Sequence, residues 1–301
     1  MDIAIIGGGP AGYSAALYAA RFGRTVTVFE AETIGGQMSL AAEIENCFGF
    51  PKAISGVELS QRMREQAEQS GAQTVLSRVT EIKRIEASFQ IAANEKIYTA
   101  NAVIAATGAD ARQLGLPNEH ALIGRGVSYC AACDANFYRG KTVAVVGGAT
   151  SAVTQALHLS ALCKQVLLLC RKPALRAAEA ELKKLYATAN ITLLPETVVK
   201  ELLAENNKLR GILCETKGQQ RQLPIDGLFV SIGRVPKSEL FRQLLETDAQ
   251  GFLLADEQTA TTVPGLFVAG DVRHKLVRQI ATAVSDGVCA AFTAEAYLTK
   301  S

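Results

Sequence analysis

The chain has 301 residues, 49% of them hydrophobic and 20% charged, with a formal net charge of +2. That length exceeds one small core and predicts two domains, and the near balance of charge excludes bulk attraction to nucleic acid or to a membrane surface. Longer apolar runs are broken by polar residues, so no transmembrane span is expected, and an opening strand from Asp2 leaves no room for a signal peptide.

Asp2-Ile3-Ala4-Ile5-Ile6 is a short apolar run of strand length, followed at once by Gly7-Gly8-Gly9-Pro10-Ala11-Gly12. The pattern G-x-G-x-x-G thus falls where a strand turns into a helix. The helix runs through Ala15, Ala16, Leu17 and Ala20 and stops at Gly23, and a second strand, residues 25–29, ends in Glu30. Each part has a task in holding a dinucleotide. Gly7 makes the tight turn, Gly9 lets pyrophosphate approach the backbone, Gly12 lets helix pack on strand, and Glu30 accepts from a ribose. Strand, helix, second strand and acid in phase make this a dinucleotide site.

Ile34-Gly35-Gly36-Gln37-Met38 and residues 45–51 read, by pattern alone, as two surface turns. Residues 57–70 have helical periodicity, 73–98 alternate as strands do, and 102–108 form a buried strand closing on Gly108. Then comes Cys130-Ala131-Ala132-Cys133-Asp134, two cysteines three apart with a carboxylate beside the second. Such a pair can cycle between disulfide and dithiol. A zinc half-site is the bland alternative, but no second C-x-x-C exists, and His120, His158 and His274 lack ligand spacing. The seven cysteines are odd in number and mostly scattered, which fits a reducing cytoplasm; Cys47, Cys163, Cys170, Cys214 and Cys289 read as small core residues.

Residues 141–146 form another buried strand, leading into Gly147-Gly148-Ala149-Thr150-Ser151-Ala152, a helix, and a strand ending in Cys170. This unit superposes on the first at a constant offset of 140 residues, with Gly7 on Gly147, Gly9 on Ala149, Gly12 on Ala152 and Glu30 on Cys170. The fold class is therefore α/β, with two Rossmann-like three-layer nucleotide-binding domains. Where the first unit has an acid, the second has Cys170 followed by Arg171, Lys172 and then Arg176. Basic residues there suit a 2′-phosphate, and a solvated basic loop is the bland reading. Residues 191–232 repeat the strand-rich pattern, 234–236 read as a linker, a last strand delivers Asp271 at its carboxyl end, and a long helix runs from about Gln279 to Leu298.

Residues 7–12, 35–37, 45–46, 106–108, 130–134, 269–271 and 278–279 together resemble the low-molecular-weight thioredoxin reductases over essentially the whole chain. The C-x-x-C just ahead of the second Rossmann strand is the specific feature. The resemblance implies a homodimeric FAD enzyme in which residues 1–110 and 239–301 form the FAD domain and 111–238 are inserted as the NAD(P)H domain. It implies pyrophosphate over Gly9, Pro10, Ala11 and Gly12, with Glu30 on the adenosine ribose. Gly36, Gln37 and Asn46 would line the flavin, Asp271 would hold the ribityl chain, and Arg278 and Gln279 would reach the isoalloxazine. Ser151, Arg171, Lys172 and Arg176 are the expected contacts to NADPH.

The implied reaction passes electrons from flavin to the Cys130–Cys133 disulfide, with Cys133 nearer the ring. Cys130 then attacks the thioredoxin disulfide and Asp134 manages the proton. In the family the inserted domain rotates, with hinges here near residues 109–115 and 233–238. The second nucleotide site departs from the NADPH pattern: Ala149 and Thr150 replace a glycine and an acid, Cys170 a histidine, and Lys172 an arginine. NADPH is the leading donor. A ferredoxin-dependent reductase without NADPH use, and an FAD-dependent dithiol oxidase using oxygen, stay open as alternatives.

Overall fold

A computed structural model describes residues 1–41 and 43–300. In chain order the first elements are β1 (Ile3–Ile6), α1 (Pro10–Arg21), β2 (Val26–Glu30), α2 (Gly56–Gln69) and β3 (Gln73–Leu76). The meander β4 (Val79–Ile85), β5 (Ser88–Ala93) and β6 (Lys96–Ala100) follows, then β7 (Ala102–Ala105) and β8 (Ala109–Ala111). The middle of the chain gives β9 (Val127–Ser128), α3 (Ala131–Asp134), β10 (Thr142–Val146), α4 (Thr150–Ser160), β11 (Gln165–Cys170), α5 (Glu179–Ala187) and β12 (Ile191–Pro195). A second meander, β13 (Thr197–Glu205), β14 (Lys208–Thr216) and β15 (Gln219–Pro224), leads to β16 (Gly227–Val230) and β17 (Arg234–Pro236). β18 (Leu266–Val268) and α6 (Ile280–Lys300) close the fold.

These elements form two compact units, residues 1–110 with 235–301, and residues 111–234. Each is built on a five-stranded parallel sheet, ordered β3-β2-β1-β7-β18 in the first and β12-β11-β10-β16-β9 in the second. The register is also shared. Ile3 pairs with Val26 and Val143 with Val166, so the offset of 140 holds on both strands. The units differ in where their fifth strand comes from. In the first it arrives from the far end of the chain, in the second from the segment ahead of β10, where the redox pair lies.

The central strands are apolar throughout because both faces of each sheet are covered. In the first unit Ile3, Ile5 and Val28 pack under α1 and α6, while Ala4, Ile6 and Phe29 meet Phe89 and Ile91 of the meander. In the second, Val143, Val145 and Leu168 pack under α4, and Ala144, Val146 and Leu169 meet Leu209 and Ile212. Helices, sheet and meander make the three layers in each. The helix pair of the first unit closes tightly: a Cβ on Gly287 would lie 3.0 Å from the Ala11 carbonyl carbon, and Ser14 Oγ donates to the Val284 carbonyl at 2.9 Å.

Two expectations change. Residues 234–236, expected as a linker, do span the boundary of the two units, but as the strand β17 paired with β8 in a two-stranded ribbon, because the returning chain runs beside the departing one. Cys163, Cys170 and Cys214 are buried as expected, but Cys47, in the loop ahead of α2 and packed at the edge of a small core cluster, and Cys289, on α6, are only partly buried.

Candidate active site

Strand ends in an open α/β sheet carry the ligand contacts, and in the first unit three distant segments meet there. Gly7 has φ +116°, and its Cα faces the Ala106 backbone so closely that a Cβ would lie 2.7 Å from the Ala106 carbonyl carbon. Gly12 backs onto Gly7, where a Cβ would come within 3.1 Å of the Gly7 carbonyl carbon. Gly9 is the opposite case. A Cβ there would meet nothing nearer than the Gly35 carbonyl oxygen at 3.9 Å. Gly9 also caps α1 without a side-chain partner, with Pro10 in the first turn. The groove over Gly9 is thus lined by the unsatisfied N–H groups of a helix start, with room for an anion.

Glu30 is 9% exposed at the end of β2. Its Oε2 accepts from the Gly8 N–H at 2.7 Å and its Oε1 from the Glu32 N–H at 2.8 Å. Each oxygen keeps a second lone pair for a ribose hydroxyl. Gly36 starts a short 3-10 helix whose first residue faces Gly9, and Gln37 Nε2 donates to Asp110 at 2.8 Å. Asn46 Nδ2 donates to Gln279 Oε1 at 3.2 Å, so these two expected flavin neighbours touch although 233 residues separate them. Gly270 (φ +78°) lies against Ala11, which sets Asp271 beside the glycine loop. The Arg278 guanidinium stacks 3.9 Å from the Phe252 ring centroid and donates to the Asp271 carbonyl at 3.4 Å. These residues offer a phosphate-sized groove at a helix start, a ribose-accepting carboxylate and polar groups from distant segments, an arrangement that a dinucleotide would fit.

Asp286, buried in α6, was not singled out by sequence. It accepts from the Gly270 N–H, Arg273 and Lys275, each at 3.0 Å, and so fixes the turn that carries Asp271. Nothing in its helical surroundings marks it beforehand.

The second unit repeats the glycine loop with altered chemistry. Gly147 makes the turn at φ +155°, and Ala152 replaces the packing glycine, buried without exposure. Buried Cys170 lies under Gly148, where a Cβ would come 2.5 Å from its Sγ. Arg176 donates its backbone N–H to the Gly148 carbonyl at 2.7 Å, as Gly35 does to Gly8 in the first unit. Ala149, Thr150 and Ser151 are exposed at the start of α4. Arg171, Lys172 and Arg176 are exposed too, and none forms an ion pair among the described residues.

Cys130 and Cys133 are joined as a disulfide across a Cα–Cα distance of 5.3 Å, both half-buried. Cys130 caps the short helix α3, and the Cys133 and Asp134 N–H groups both return to the Cys130 carbonyl, at 3.2 and 3.1 Å. Asp134 is held from β9: Ser128 Oγ donates to its Oδ2 at 2.6 Å and accepts from the Cys130 N–H at 3.1 Å. Burial, then the charges of Asp134 and Asp226, push the Tyr138 phenol up to about 12. On the other side, Glu119, 2% exposed, accepts from the N–H groups of Leu114, Gly115 and Leu116 and from Tyr129 Oη. Burial, then that bond to Glu119, raises the Tyr129 phenol well above its ordinary value. Ser128 and Glu119 were also missed by sequence reasoning, since a lone serine or glutamate carries no motif. No helix among the described residues is long and apolar enough to cross a membrane.

Two nucleotide-binding folds, one carrying a closed cysteine pair, define a disulfide oxidoreductase. Residues 1–287 match the family described as pyridine nucleotide-disulphide oxidoreductase. The thioredoxin reductase of Coxiella burnetii is 39% identical over 307 aligned positions, covering 99% of this chain and 96% of its own. That of Streptomyces coelicolor is 40% identical, covering 99% and 94%. The crystal structure of thioredoxin reductase from Streptococcus pyogenes matches at a TM-score of 0.94 and 37% identity, over 100% of this chain and 98% of the other. The chain belongs to the pyridine nucleotide-disulphide oxidoreductases and, within them, to the low-molecular-weight thioredoxin reductases. Its redox-active disulfide is Cys130–Cys133, its substrate is thioredoxin, and membership implies a flavin and a pyridine nucleotide as electron carriers.

Proposed function

We propose that the flavin is FAD and the electron donor NADPH, in a cytoplasmic homodimer. Residues 1–110 and 239–301 are the FAD domain in this reading, and 111–238 the NADPH domain. The observation that carries the donor is the basic cluster at the end of β11. Three exposed cations without an ion-pair partner among the described residues flank a helix start, and one of them is tied to the glycine loop at 2.7 Å. That is the charge a 2′-phosphate needs. Ser151 adds a hydroxyl at the same helix start.

In the first unit, residues 9–12 would hold the pyrophosphate of FAD and Glu30 its ribose. Gly36, Gln37 and Asn46 would line the flavin, Asp271 would take the ribityl chain, and Arg278 and Gln279 would lie near the ring. Such a group would supply the electron pair needed to reduce the Cys130–Cys133 disulfide. Thereafter the chain's own groups act. The Cys130 thiolate attacks a sulfur of the thioredoxin disulfide, that bond breaks, and the leaving sulfur takes from solvent the proton that the Cys130 thiol had released on forming its thiolate. Cys133 then gives its proton to Asp134 and attacks the Cys130 sulfur. The mixed disulfide breaks, the second thioredoxin sulfur departs with the electron pair, and Asp134 returns the proton to it. Two protons and two electrons pass in all, and the Cys130–Cys133 bond is restored.

Anaerobic titration tests the donor. NADPH is expected to bleach the flavin stoichiometrically. Failure of NADPH together with bleaching by reduced ferredoxin overturns the assignment, and oxygen consumption with small dithiols in place of thioredoxin reduction would mark an oxidase.

A further inference from the structure

The proposed exchange does not use Ser128, yet this buried side chain (3% exposed) touches both ends of the redox turn. It sits on β9, where Phe229 of β16 pairs with it, so its backbone is fixed by the sheet rather than by the loop. The direction of its proton follows from its partners. Oγ accepts from the Cys130 N–H at 3.1 Å, leaving its hydroxyl proton for Asp134 Oδ2 at 2.6 Å, with the Cys130 carbonyl a weaker second acceptor at 3.4 Å. An O–H···O separation of 2.6 Å is the length of a charge-assisted bond.

We infer that Ser128 is a positioning residue for thiol–disulfide exchange: it anchors one oxygen of Asp134 to the sheet, so that the carboxylate meets the Cys133 proton in one orientation. The inference rests on the reading of Asp134 as the acid–base group. Proton balance is unchanged, because Ser128 keeps its own proton throughout. The proton that moves goes from Cys133 to Asp134 as Cys133 attacks the Cys130 sulfur, and from Asp134 to the departing substrate thiolate.

The test uses FAD-loaded enzyme whose cysteine pair has been reduced with dithiothreitol and freed of reductant anaerobically. Oxidised thioredoxin is added, the reaction is quenched with an alkylating agent, and free thiols on each protein are counted by mass over time. This reads the exchange without the nucleotide donor. Ser128→Ala is expected to slow exchange about 10-fold at saturating thioredoxin, a fraction of what a general acid–base group contributes, with half-saturation unchanged. Ser128→Thr, which keeps the hydroxyl, is expected to restore most of the rate. Asp134→Asn is expected to be at least as slow as Ser128→Ala, and the double variant no slower than Asp134→Asn alone, since the serine acts through the carboxylate. If Asp134→Asn is slow but Ser128→Ala exchanges at the parent rate, or if the two losses multiply, the positioning role is wrong. If Asp134→Asn itself exchanges at the parent rate, the acid–base reading fails first, and the role assigned to Ser128 falls with it.

Discussion

Replacing Glu119, itself 2% exposed, by alanine removes the acceptor of four part-buried hydrogen bonds. The three backbone donors lie at 2.9 Å (Leu114), 2.8 Å (Gly115) and 3.3 Å (Leu116), and Tyr129 Oη at 2.8 Å. They belong to a stretch with no regular structure, so no neighbouring strand can replace the lost acceptor. A buried donor left unmet costs about 1–3 kcal/mol, and the space opened by truncation admits water that repairs part of the loss. A net cost of about 3–5 kcal/mol follows for Glu119→Ala, from the loss together of several hydrogen bonds to one charged acceptor. Glu119→Gln keeps the shape but turns one accepting oxygen into a donor, and about 2 kcal/mol is expected. Urea unfolding followed by circular dichroism reads the effect. With a slope of about 2–3 kcal/mol per molar urea, Glu119→Ala moves the midpoint of the transition belonging to residues 111–234 by about 1 M or more. Because Tyr129 adjoins Cys130, the same variant is expected to slow thioredoxin reduction before it unfolds. A midpoint within about 0.2 M of the parent would refute the reasoning, since at that slope it means the carboxylate holds nothing.

Two glycines of one loop are expected to fail differently. Gly9→Ala meets no atom within 3.9 Å and leaves the urea midpoint unchanged, yet lowers flavin content after dialysis; Gly12→Ala pushes into the Gly7 carbonyl and loses both flavin and stability. Changing Arg171 and Arg176 together to glutamine is expected to raise KM for NADPH by about 10-fold or more while leaving NADH unchanged, at about 1 kcal/mol for each exposed charged contact; equal effects on both nucleotides would count against a 2′-phosphate site. For Asp248, burial alone would raise the carboxyl, but the bond from His274 at 2.6 Å and the Phe252 and Gln250 N–H groups outweigh it and hold it below its ordinary 3.8. A depressed folded value contributes stability above the unfolded value and loses it as pH falls through the folded one. Asp248→Asn should therefore cost about 1–2 kcal/mol in thermal or urea unfolding at pH 7, and progressively less as pH falls below the ordinary value of 3.8.

What the sequence made legible was whatever physics writes locally. A strand, a glycine turn and an acid in phase are one short stretch obeying one constraint, and the duplication at 140 residues multiplied that signal. The same reasoning could not find Ser128, Glu119 or Asp286, because each earns its place through partners that the fold brings to it. Asp286 lies 16 residues from the Gly270 N–H that it accepts, and Glu119 lies 10 from the Tyr129 hydroxyl. Neither spacing is a repeat of helix or strand. The ribbon of β8 with β17 was invisible for a related reason: Arg234-Val235-Pro236 carries no strand period, and pairs because the departing chain lies beside it. The second nucleotide site shows how the two kinds of information combine. By residue type it departs from its pattern at Ala149, Thr150 and Cys170. By geometry it keeps the bond from the Arg176 N–H to Gly148 that mirrors Gly35 on Gly8, so the loop is held in the binding shape while its side chains differ. The substitutions add side chains at the loop, Ala149 among them where the first unit has Gly9, while the backbone bond is kept; in the proposed reading the charge of Arg171 and Arg176, rather than the altered glycine pattern, is therefore the feature on which the identity of the donor turns.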